Sequence, residues 1–530
     1  MAWARAGLAL LAAGAVGLVL VSGGSSADPR TPAGLPGLAP PFLGTTVVGD
    51  GGLTAAIDAY GDVVDLRAPG PAGRALIDNP ADRQAAGSVP ANTGIVPRVR
   101  IDGGAALPIW RASSVSQHYL QDTNVVRTLA RFGRVRVVIT DAAEGGDLAR
   151  RMAVSSPAGV RVVPRLGVNV EAGARCERER RARGIDLVCS PRGAAPRGGV
   201  GERAELTLRA ATEGDRGWLN GARPLGPGAP PWASEMYRRS LLTLRALTDG
   251  RSGAVAAGAR DGWAYVWPRD AATAALAFSA AGYRSEAPRV TRFLLGLKLE
   301  AGARFRGDGT AVRGRGAQGD AAGWVALAAG ATGARPRDVA PQWHDRPDYQ
   351  EGSPGDYLGN AIASTSADGP KTRLYEGKSA RRRASAAIAR DFGGARGLAR
   401  AAQDASSGLD AAAAWAVRPF SLPALYPEVR ETLLRLAARQ TPFGITPGEG
   451  WTGGSDPWTA PTAWTAWSLA ALGERRQALR LLGDLRRAAT PAGTLPERVD
   501  ARTGVPRSTT PLAWSHAFAI LALRQLWPGR

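Results

Sequence analysis

The pattern of apolar and polar positions divides the chain into two parts with different predicted secondary structure. Up to about residue 219, short runs alternate in polarity, are rich in β-branched residues and have Gly, Asp, Asn or Pro at or near their ends. The clearest runs are 53–60, 124–132, 133–140 and 160–170. Several such runs in series predict an antiparallel β-sandwich over 28–223. The Pro- and Gly-rich segment 224–231 is expected to be a linker.

From residue 232 onwards, apolar residues recur at helical spacing in Ala- and Leu-rich segments. Eleven helices are predicted, at 234–249, 268–282, 284–299, 318–333, 356–364, 376–392, 398–417, 422–440, 457–473, 474–489 and 511–527. Their loops often carry Gly or Pro, which indicates paired helices stacked as hairpins. Stacked hairpins must close to bury their ends, which favours a toroid or a solenoid. The pattern alone does not decide between the two.

The N-terminus has the features of an export signal. Arg5 precedes an apolar run at 6–21, and Ser25 and Ala27 occupy the small positions ahead of an expected cleavage site. Residues 1–27 are therefore predicted to be a signal peptide. The apolar run is slightly short for a membrane span, and an uncleaved anchor is the alternative.

The cysteines and histidines bear on redox and metal chemistry. Cys176 and Cys189 are the only cysteines, and in an exported chain two cysteines that close a short loop predict a disulfide. The three histidines lie far apart without metal-ligand spacing, and no calcium-binding loop pattern is present. We expect neither a metal site nor a cofactor.

The net charge of +21 comes almost wholly from arginine. The arginines are scattered, and no basic run with interleaved aromatic residues is present, so nucleic-acid binding is not expected. Such a charge favours weak association with an acidic cell envelope instead. We expect a monomer.

Candidate chemistry lies in the loops between the predicted helices. The segment 262–270 carries Trp263, Tyr265 and Trp267 in alternation and ends in Arg269 and Asp270. Aromatic rings on one side of an extended run can stack on a sugar, and an Arg–Asp pair suits vicinal hydroxyls. The alternative is a buried aromatic cluster in which the aspartate only stabilises a helix N-terminus.

Further loop carboxylates repeat this theme. They are Asp320, Glu351, Glu449 (with Trp451 two residues later) and Glu497. Acids and aromatic residues on the loops of one helical array predict a single pocket with glycoside chemistry, in which one carboxylic acid protonates the leaving oxygen and another carboxylate activates water or attacks the sugar. Asp320 as a helix cap and Glu449 as a solvated loop residue are the alternatives, and His516 is expected to pack a helix rather than to catalyse.

The order of these motifs is similar to that of the glucoamylase family, glycoside hydrolase family 15, whose bacterial members include glucodextranases. The matching segments are 265–270, 281–283, 318–320, 453–458, 495–497 and 511–516. The resemblance spans about 42–527 and implies a β-sandwich ahead of an (α/α)6 barrel. It also implies inverting hydrolysis of a terminal α-linked glucosyl residue with release of β-glucose.

The resemblance assigns roles to several residues. Glu497 matches the general base, and Arg269 and Asp270 match the pair that holds the terminal glucose, with Trp267 beside them. Glu351 matches the general acid, but Gln350 stands where the family usually has Trp, and Gly352 follows. That departure leaves Asp348 and Glu376 as fallback candidates for the acid, and one helix fewer is predicted than the fold uses.

Three hypotheses follow from the sequence. The first is an exported, exo-acting inverting hydrolase of α-glucans or α-gluco-oligosaccharides, whose linkage is not readable from the motifs. The second is a catalytically impaired carbohydrate-binding envelope protein of the same fold, motivated by the altered surroundings of Glu351. The third is a toroid lyase of acidic polysaccharides, against which the absence of a Tyr/His/Arg cluster weighs.

Overall fold

The computed structural model describes residues 34–78, 94–170, 173–193, 198–260, 262–335, 343–366 and 378–529. The predicted signal peptide and the fallback acid Glu376 lie outside these residues. The described part is a mixed β and α structure in which antiparallel sheets precede most of the helices. Within it, no helix is both long and apolar enough to cross a membrane.

Two antiparallel sheets form the N-terminal part. Within the described residues, the first contains β1 (Gly44–Gly49), β2 (Thr54–Asp58), β3 (Val63–Ala68), β4 (Arg74–Asp78), β5 (Gly94–Ile101), β6 (Ala106–Pro108) and β11 (Val162–Asn169). The second contains β7 (Ser114–Tyr119), β8 (Val126–Phe132), β9 (Val135–Glu144), β10 (Asp147–Ser155), β12 (Ala174–Arg181) and β13 (Gly184–Pro191). Val48 and Ile57 of one sheet share a buried core with Ile139 and Leu148 of the other. The predicted antiparallel sheets are thus confirmed.

The disulfide lies on one edge of the second sheet. Cys176 and Cys189 are paired directly across β12 and β13 and are bonded to each other. The sequence prediction of this disulfide is confirmed.

The prediction of strands up to residue 219 was wrong at its C-terminal end. Residues Val200–Leu219 form a long helix, α1, which packs on β9, β10 and β13. Its buried positions include Ala204, Thr207, Ala211 and Asp215, spaced three or four residues apart as one helix face requires. The Gly and Thr residues between these positions are weak helix formers, and they make the helical period hard to recognise in the sequence.

The remaining described helices follow the predicted positions closely. They are α2 (Pro231–Ala246), α3 (Pro268–Ala281), α4 (Glu286–Leu295), α5 (Ala321–Thr332), α6 (Leu358–Ser364), α7 (Lys378–Phe392), α8 (Tyr426–Ala438), α9 (Thr459–Ala471), α10 (Arg475–Ala488) and α11 (Ala513–Leu526). The local signals are clear in α3, which begins at Pro268, whose fixed φ suits the first helical position. Gly282 then ends this helix in the left-handed conformation, with φ of 92°.

Two details of the helix prediction were wrong. Instead of a helix at 398–417, the chain forms strands β15 (Gly397–Ala401) and β16 (Asp404–Leu409) and then a short 3-10 helix at Ala411–Ala416. Gln403 and Gly408 have positive φ in this segment, and Ser and Asp residues bond locally to the backbone, as turns rather than helices require. Pro511 is not the first residue of a helix either, because α11 begins at Ala513.

Six segments contact each other in a closed sequence within the described residues: α3, α5, α6, the 3-10 helix Ala411–Ala416, α9 and α11, which returns to α3. A fully buried aromatic cluster that includes Trp324, Trp415, Trp464 and Phe518 lies between them. The ring centroids of Trp415 and Trp464 are 5.4 Å apart, and those of Trp464 and Phe518 are also 5.4 Å apart. The centre of the ring is therefore a packed core.

The β part also supports the loops of the helical part. Thr494 Oγ1 donates a hydrogen bond to the carbonyl of Thr45 on β1 over 2.6 Å. Thr54 Oγ1 on β2 donates to the carbonyl of Ala246, at the end of α2, over 3.0 Å. The first sheet is thereby fixed against the segment that leads to Glu497.

Candidate active site

A cavity of about 80 Å³ opens at one end of this helical ring. It is lined by Ala257, Gly262, Trp263, Trp267, Arg269, Asp270, Arg315, Tyr349, Gln350, Glu351, Trp458, Glu497, Leu512 and Trp514. Six of the sequence-predicted site residues are among them, although they come from distant segments of the chain. The cavity therefore brings together the two predicted catalytic carboxylates and the predicted Arg–Asp pair.

Glu497 is held by the loops around it. Its N–H donates to the carbonyl of Thr509 over 2.9 Å, and its own carbonyl accepts from the N–H of Thr459 over 3.0 Å. Ser508 Oγ donates to Oε2 of its carboxylate. The backbone is thus pinned on both sides, and Ser508 orients one carboxylate oxygen. Within the part of the chain that the structure describes, no hydrogen bond holds the other oxygen, which can take a further partner.

His516 supports this loop from behind. Its Nε2 accepts a hydrogen bond from the N–H of Leu495 over 2.9 Å, and its Nδ1 lies 2.9 Å from Oγ of Ser240. Burial lowers the pKa of His516 well below its ordinary value, with the charge of Arg239 adding to the effect. The ring is therefore neutral and carries its proton on Nδ1, which suits a positioning residue.

Arg269 is the centre of a buried polar network. Its Nη1 donates to Gln318 Oε1 over 3.0 Å and to Asp320 Oδ2 over 2.8 Å, and its guanidinium lies 4.5 Å above the Trp514 ring. Its Nε lies 3.8 Å from Asp270 Oδ2, beyond hydrogen-bond distance. The ion pair with Asp320 holds the guanidinium in place at the cavity wall.

Asp270 faces the cavity with an unusual titration. Burial raises the pKa of this carboxyl to about 7; Arg269 opposes the rise, and the negative charges of Asp320 and Glu497 add to it. Its side chain is only 5% exposed. The ionised form of Asp270 is thus poorly stabilised in the cavity, and a hydrogen bond from a ligand hydroxyl would stabilise it.

This titration predicts a pH-dependent stability difference. Between about pH 4 and pH 7, the folded form binds more protons at Asp270 than the unfolded form does, so stability falls as pH rises through this window. Asp270→Asn removes this titration. The free energy of unfolding of the variant minus that of wild type should therefore be larger at pH 8 than at pH 4, by roughly 2–4 kcal/mol. Urea unfolding of both proteins at the two pH values measures it. A difference that does not change with pH would contradict the assignment.

Glu351 lies on a loop in the left-handed conformation, with φ of 56°. Its Oε1 accepts from Trp267 Nε1 over 3.0 Å, and Gln318 Nε2 lies 3.5 Å from the same oxygen. Its Oε2 pairs with Nη1 of Arg315. A tryptophan from another loop thus contacts this carboxylate, although the sequence neighbour that the family has is replaced by Gln350.

The loop that carries Glu351 is fixed by its preceding residues. Asp348 pairs with Arg400 over 2.8 and 3.0 Å, and Gln350 Nε2 donates to Asp410 Oδ2 over 2.7 Å. The Tyr349 hydroxyl lies 3.0 Å from Asp410 Oδ1. Burial and the nearby Asp348 raise the pKa of Asp410 to about 7, and Arg400 opposes the rise. Gln350 is therefore a structural partner of Asp410, and Asp348 is engaged with Arg400.

Four predicted substrate contacts lie outside the cavity lining. Asp320 is buried against Arg269, and Tyr265 lies under the guanidinium of Arg304 at 4.9 Å. Glu449 pairs with Arg396 and Arg439, over 2.6 and 3.0 Å, and accepts from the N–H of Leu409. Trp451 packs edge-on against Trp458, which does line the cavity. Their direct contact with substrate stays a prediction.

Several residues of the site were not predicted from the sequence. They are Ser508, Arg315 and Gln318, whose side chain contacts both Arg269 and Glu351. Arg315 lies in a Gly- and Arg-rich segment directly ahead of the 318–320 motif, and that position was a usable signal. Among the described residues, no group of three His, Cys, Asp or Glu side chains is arranged to hold a metal ion.

The comparison with protein-family models agrees with the motifs over one segment. The model of glycosyl hydrolases family 15 matches residues 231–299, which include α2, α3 and the segment from Trp263 to Asp270. No curated protein matches the chain. Solved structures similar to it include one described as "Glycosidase Wild Type", at 20% identity, covering 56% of this chain and 99% of that chain with a TM-score of 0.46.

Two glucoamylase structures are also similar to the chain. That from Saccharomycopsis fibuligera has 13% identity and covers 57% of this chain and 96% of its own, with a TM-score of 0.44. The family 15 glucoamylase from Hypocrea jecorina has 14% identity and covers 55% and 70%, with a TM-score of 0.39. With the family model matched over 231–299, the resemblance of this chain to glycosyl hydrolase family 15, the glucoamylase family, is confirmed.

Proposed function

We propose that this protein is an exported, exo-acting inverting glycoside hydrolase that releases β-glucose from the non-reducing ends of α-glucans or α-gluco-oligosaccharides. The observation that carries the proposal is the shared cavity. Glu351 and Glu497 line it together with Arg269 and Asp270, although 146 residues separate the two glutamates. Two carboxylates beside a hydroxyl-binding pair are the set that glycoside hydrolysis needs.

In the proposed reaction, Glu497 accepts a proton from water while that water attacks the anomeric carbon of the terminal glucose. Ser508 fixes Oε2 of Glu497, and Oε1 takes the proton. Glu351 donates its proton to the glycosidic oxygen as the bond to the leaving group breaks. Inverting enzymes keep their two carboxyl groups roughly 6.5–9.5 Å apart, which leaves room for the water.

The floor of the cavity supports the exo mode. Trp514 and Tyr349 line the cavity and belong to the aromatic packing in the ring centre, where their rings lie 5.3 Å from that of Trp464. The cavity therefore does not continue through the ring. A pocket closed at its base accepts the end of a chain, where Arg269 and Asp270 would hold the terminal hydroxyls.

The helical part fits an (α/α)6 barrel, which we propose as its architecture. The six segments that contact in a ring would be the inner layer, with the 3-10 helix Ala411–Ala416 in place of one inner helix. Helices α2, α4, α7, α8 and α10 contact this ring and would be the outer layer. The proposed domains are 28–223, which ends in α1, the linker 224–231 and the catalytic part 232–530.

Export is part of the proposal and rests on the predicted signal peptide and on the disulfide, which oxidising compartments favour. A monomer with weak affinity for the acidic envelope is proposed from the charge. The linkage hydrolysed is not assigned, because it depends on contacts beyond the first glucosyl unit.

A carbohydrate-binding protein with impaired catalysis is the second candidate. One observation favours it: Arg315 pairs with the carboxylate that must act as an acid, and a cation beside a carboxyl group favours its ionised form. The experiment that separates the candidates is glucose release from maltose, isomaltose and trehalose by residues 28–530. Release from any of them, or from the same glucosides with a charged leaving unit, supports the hydrolase; binding of all of these without release would establish the second candidate.

A further inference from the structure

The segment 302–316 forms a cationic rim beside the cavity. It contains Arg304, Arg306, Arg313 and Arg315 and one acid, Asp308. The carboxylate of Asp308 accepts from the N–H and the hydroxyl of Thr310 over 2.9 and 2.7 Å, so it is engaged within the loop. The rim therefore presents an excess of positive charge next to the proposed catalytic acid.

The fold of this segment places two of its arginines side by side. The N–H of Ala303 donates to the carbonyl of Arg315 over 3.3 Å, and the N–H of Val312 donates to that of Arg304 over 2.9 Å. Arg304 Nη1 donates to the carbonyl of Gly262 over 3.2 Å, and its guanidinium lies 5.7 Å from the centre of the Trp267 ring. Its buried Nε has no hydrogen-bond partner among the described residues.

Arg315 has one carboxylate partner within the described part of the chain, Glu351. Its side chain is 41% exposed and lines the cavity. Burial lowers the pKa of Arg315, and the charge of Arg304 lowers it further, while Glu497 opposes the shift. Two guanidinium groups thus repel each other at the site where the leaving group would lie.

The contact of Arg315 is incompatible with the acid role of Glu351. Oε1 of Glu351 accepts from Trp267 Nε1, so the proton of a neutral acid belongs on Oε2. Arg315, which can only donate, occupies Oε2. For Glu351 to protonate the glycosidic oxygen, Arg315 must find another anion.

We propose that the leaving group of the natural substrate carries a negative charge, a carboxylate or a phosphate, which binds Arg315 and Arg304. This inference rests on the proposed hydrolase function. The anion would draw Arg315 away from Oε2 of Glu351, which then takes up a proton from solvent water and transfers it to the leaving oxygen as the glycosidic bond breaks. Guanidinium groups suit both anions because their parallel N–H groups match the geometry of two oxygens.

Binding by the Glu497→Gln protein, which is not expected to turn substrate over, tests the charge preference. Maltobionate is compared with maltitol, since the two differ only by a carboxylate in place of a hydroxymethyl group, and the isomaltose-derived pair provides the second linkage. Trehalose 6-phosphate against trehalose tests the phosphate. We expect at least one anionic ligand to bind about 10-fold or more tighter than its neutral counterpart in titration calorimetry.

A second substitution assigns any preference to the arginine. Arg315→Gln in the same background should reduce the preference for the anionic ligand to within about twofold. Arg315→Lys keeps the charge but lacks the paired N–H groups of the guanidinium, and it should retain part of the preference. Equal binding within every pair, no measurable binding of any anionic ligand, or a preference unchanged by Arg315→Gln would overturn the inference.

Turnover by the wild-type protein separates this inference from the proposed function. If the neutral sugars are hydrolysed as fast as the anionic ones, the proposed hydrolase function is supported and the inference of a charged leaving group is overturned. A preference for anions in binding without any glucose release would support the anion site and overturn the hydrolase. The control is Arg306→Gln, on the same loop but outside the cavity lining, which should change neither result.

Discussion

Replacement of Glu497 by glutamine is expected to lower kcat for glucose release by about 10²–10⁴-fold. The substitution removes the base that takes a proton from the attacking water. The amide oxygen can still accept from Ser508, and the backbone contacts to Thr509 and Thr459 remain, so the fold and sugar binding should persist. Steady-state kinetics together with sugar binding measures both effects.

A matched control is Glu474→Gln. The carboxylate of Glu474 also accepts a hydrogen bond from a side chain, Arg430 Nε over 2.7 Å, but Glu474 lies at the start of α10 and does not line the cavity. We expect its activity to equal that of wild type. Retained activity in Glu497→Gln, or a similar loss in Glu474→Gln, would contradict the assignment of the base.

The second large effect is expected from Arg269→Gln. This change leaves Asp320 and Asp270 buried without the guanidinium, and loss of one partner of a buried ion pair typically costs about 3–5 kcal/mol. It also removes one of the two proposed contacts to the terminal sugar. We expect lower stability in urea unfolding and loss of measurable sugar binding.

A double variant separates these two effects. Asp320→Asn combined with Arg269→Gln removes both charges of the ion pair and should restore a large part of the stability. Sugar binding should not return, because the guanidinium is still missing. If binding recovers together with stability, Arg269 has only a structural role.

Much of the site was readable from the sequence because its residues lie in short motifs at helix starts. Trp267, Arg269 and Asp270 precede or open α3, whose Pro268 marks the helix start, and Glu497 lies in a loop between α10 and α11. Such local signals do not depend on the rest of the fold. The periods of the buried helices were equally clear, since Ala and Leu dominate them.

The errors have physical causes as well. In α1, one narrow buried stripe lies among Gly, Thr and charged residues, so its period was obscured. In 398–417, alanines favoured a helix in the sequence. In the structure, the N–H of Leu398 donates to Thr432 Oγ1 over 2.9 Å instead of to a carbonyl one helical turn earlier, and Gly397 lies close to the same threonine side chain. Tertiary contacts therefore override local propensity at this position.

Long-range contacts could not be predicted from the sequence. The bond of Trp267 to Glu351 joins residues 84 positions apart, and that of Thr494 to Thr45 joins residues 449 positions apart. Neither local pattern nor motif spacing indicates them. The first contact gives Glu351 an indole neighbour although no tryptophan stands beside it in sequence. The second shows that the β part helps to hold the loop that carries Glu497.

The measurement that tests the central claim most directly is proton NMR of the glucose first released from maltose, isomaltose or trehalose by residues 28–530. With Glu497 as base and Glu351 as acid on opposite sides of the scissile bond, the attacked glucosyl unit should appear first as β-glucose and then mutarotate. The leaving glucose keeps its own configuration, so trehalose should give α- and β-glucose in equal amounts. Initial appearance of the attacked unit as α-glucose (only α-glucose from trehalose), or no release from any of the three sugars or their anionic counterparts, would contradict the account.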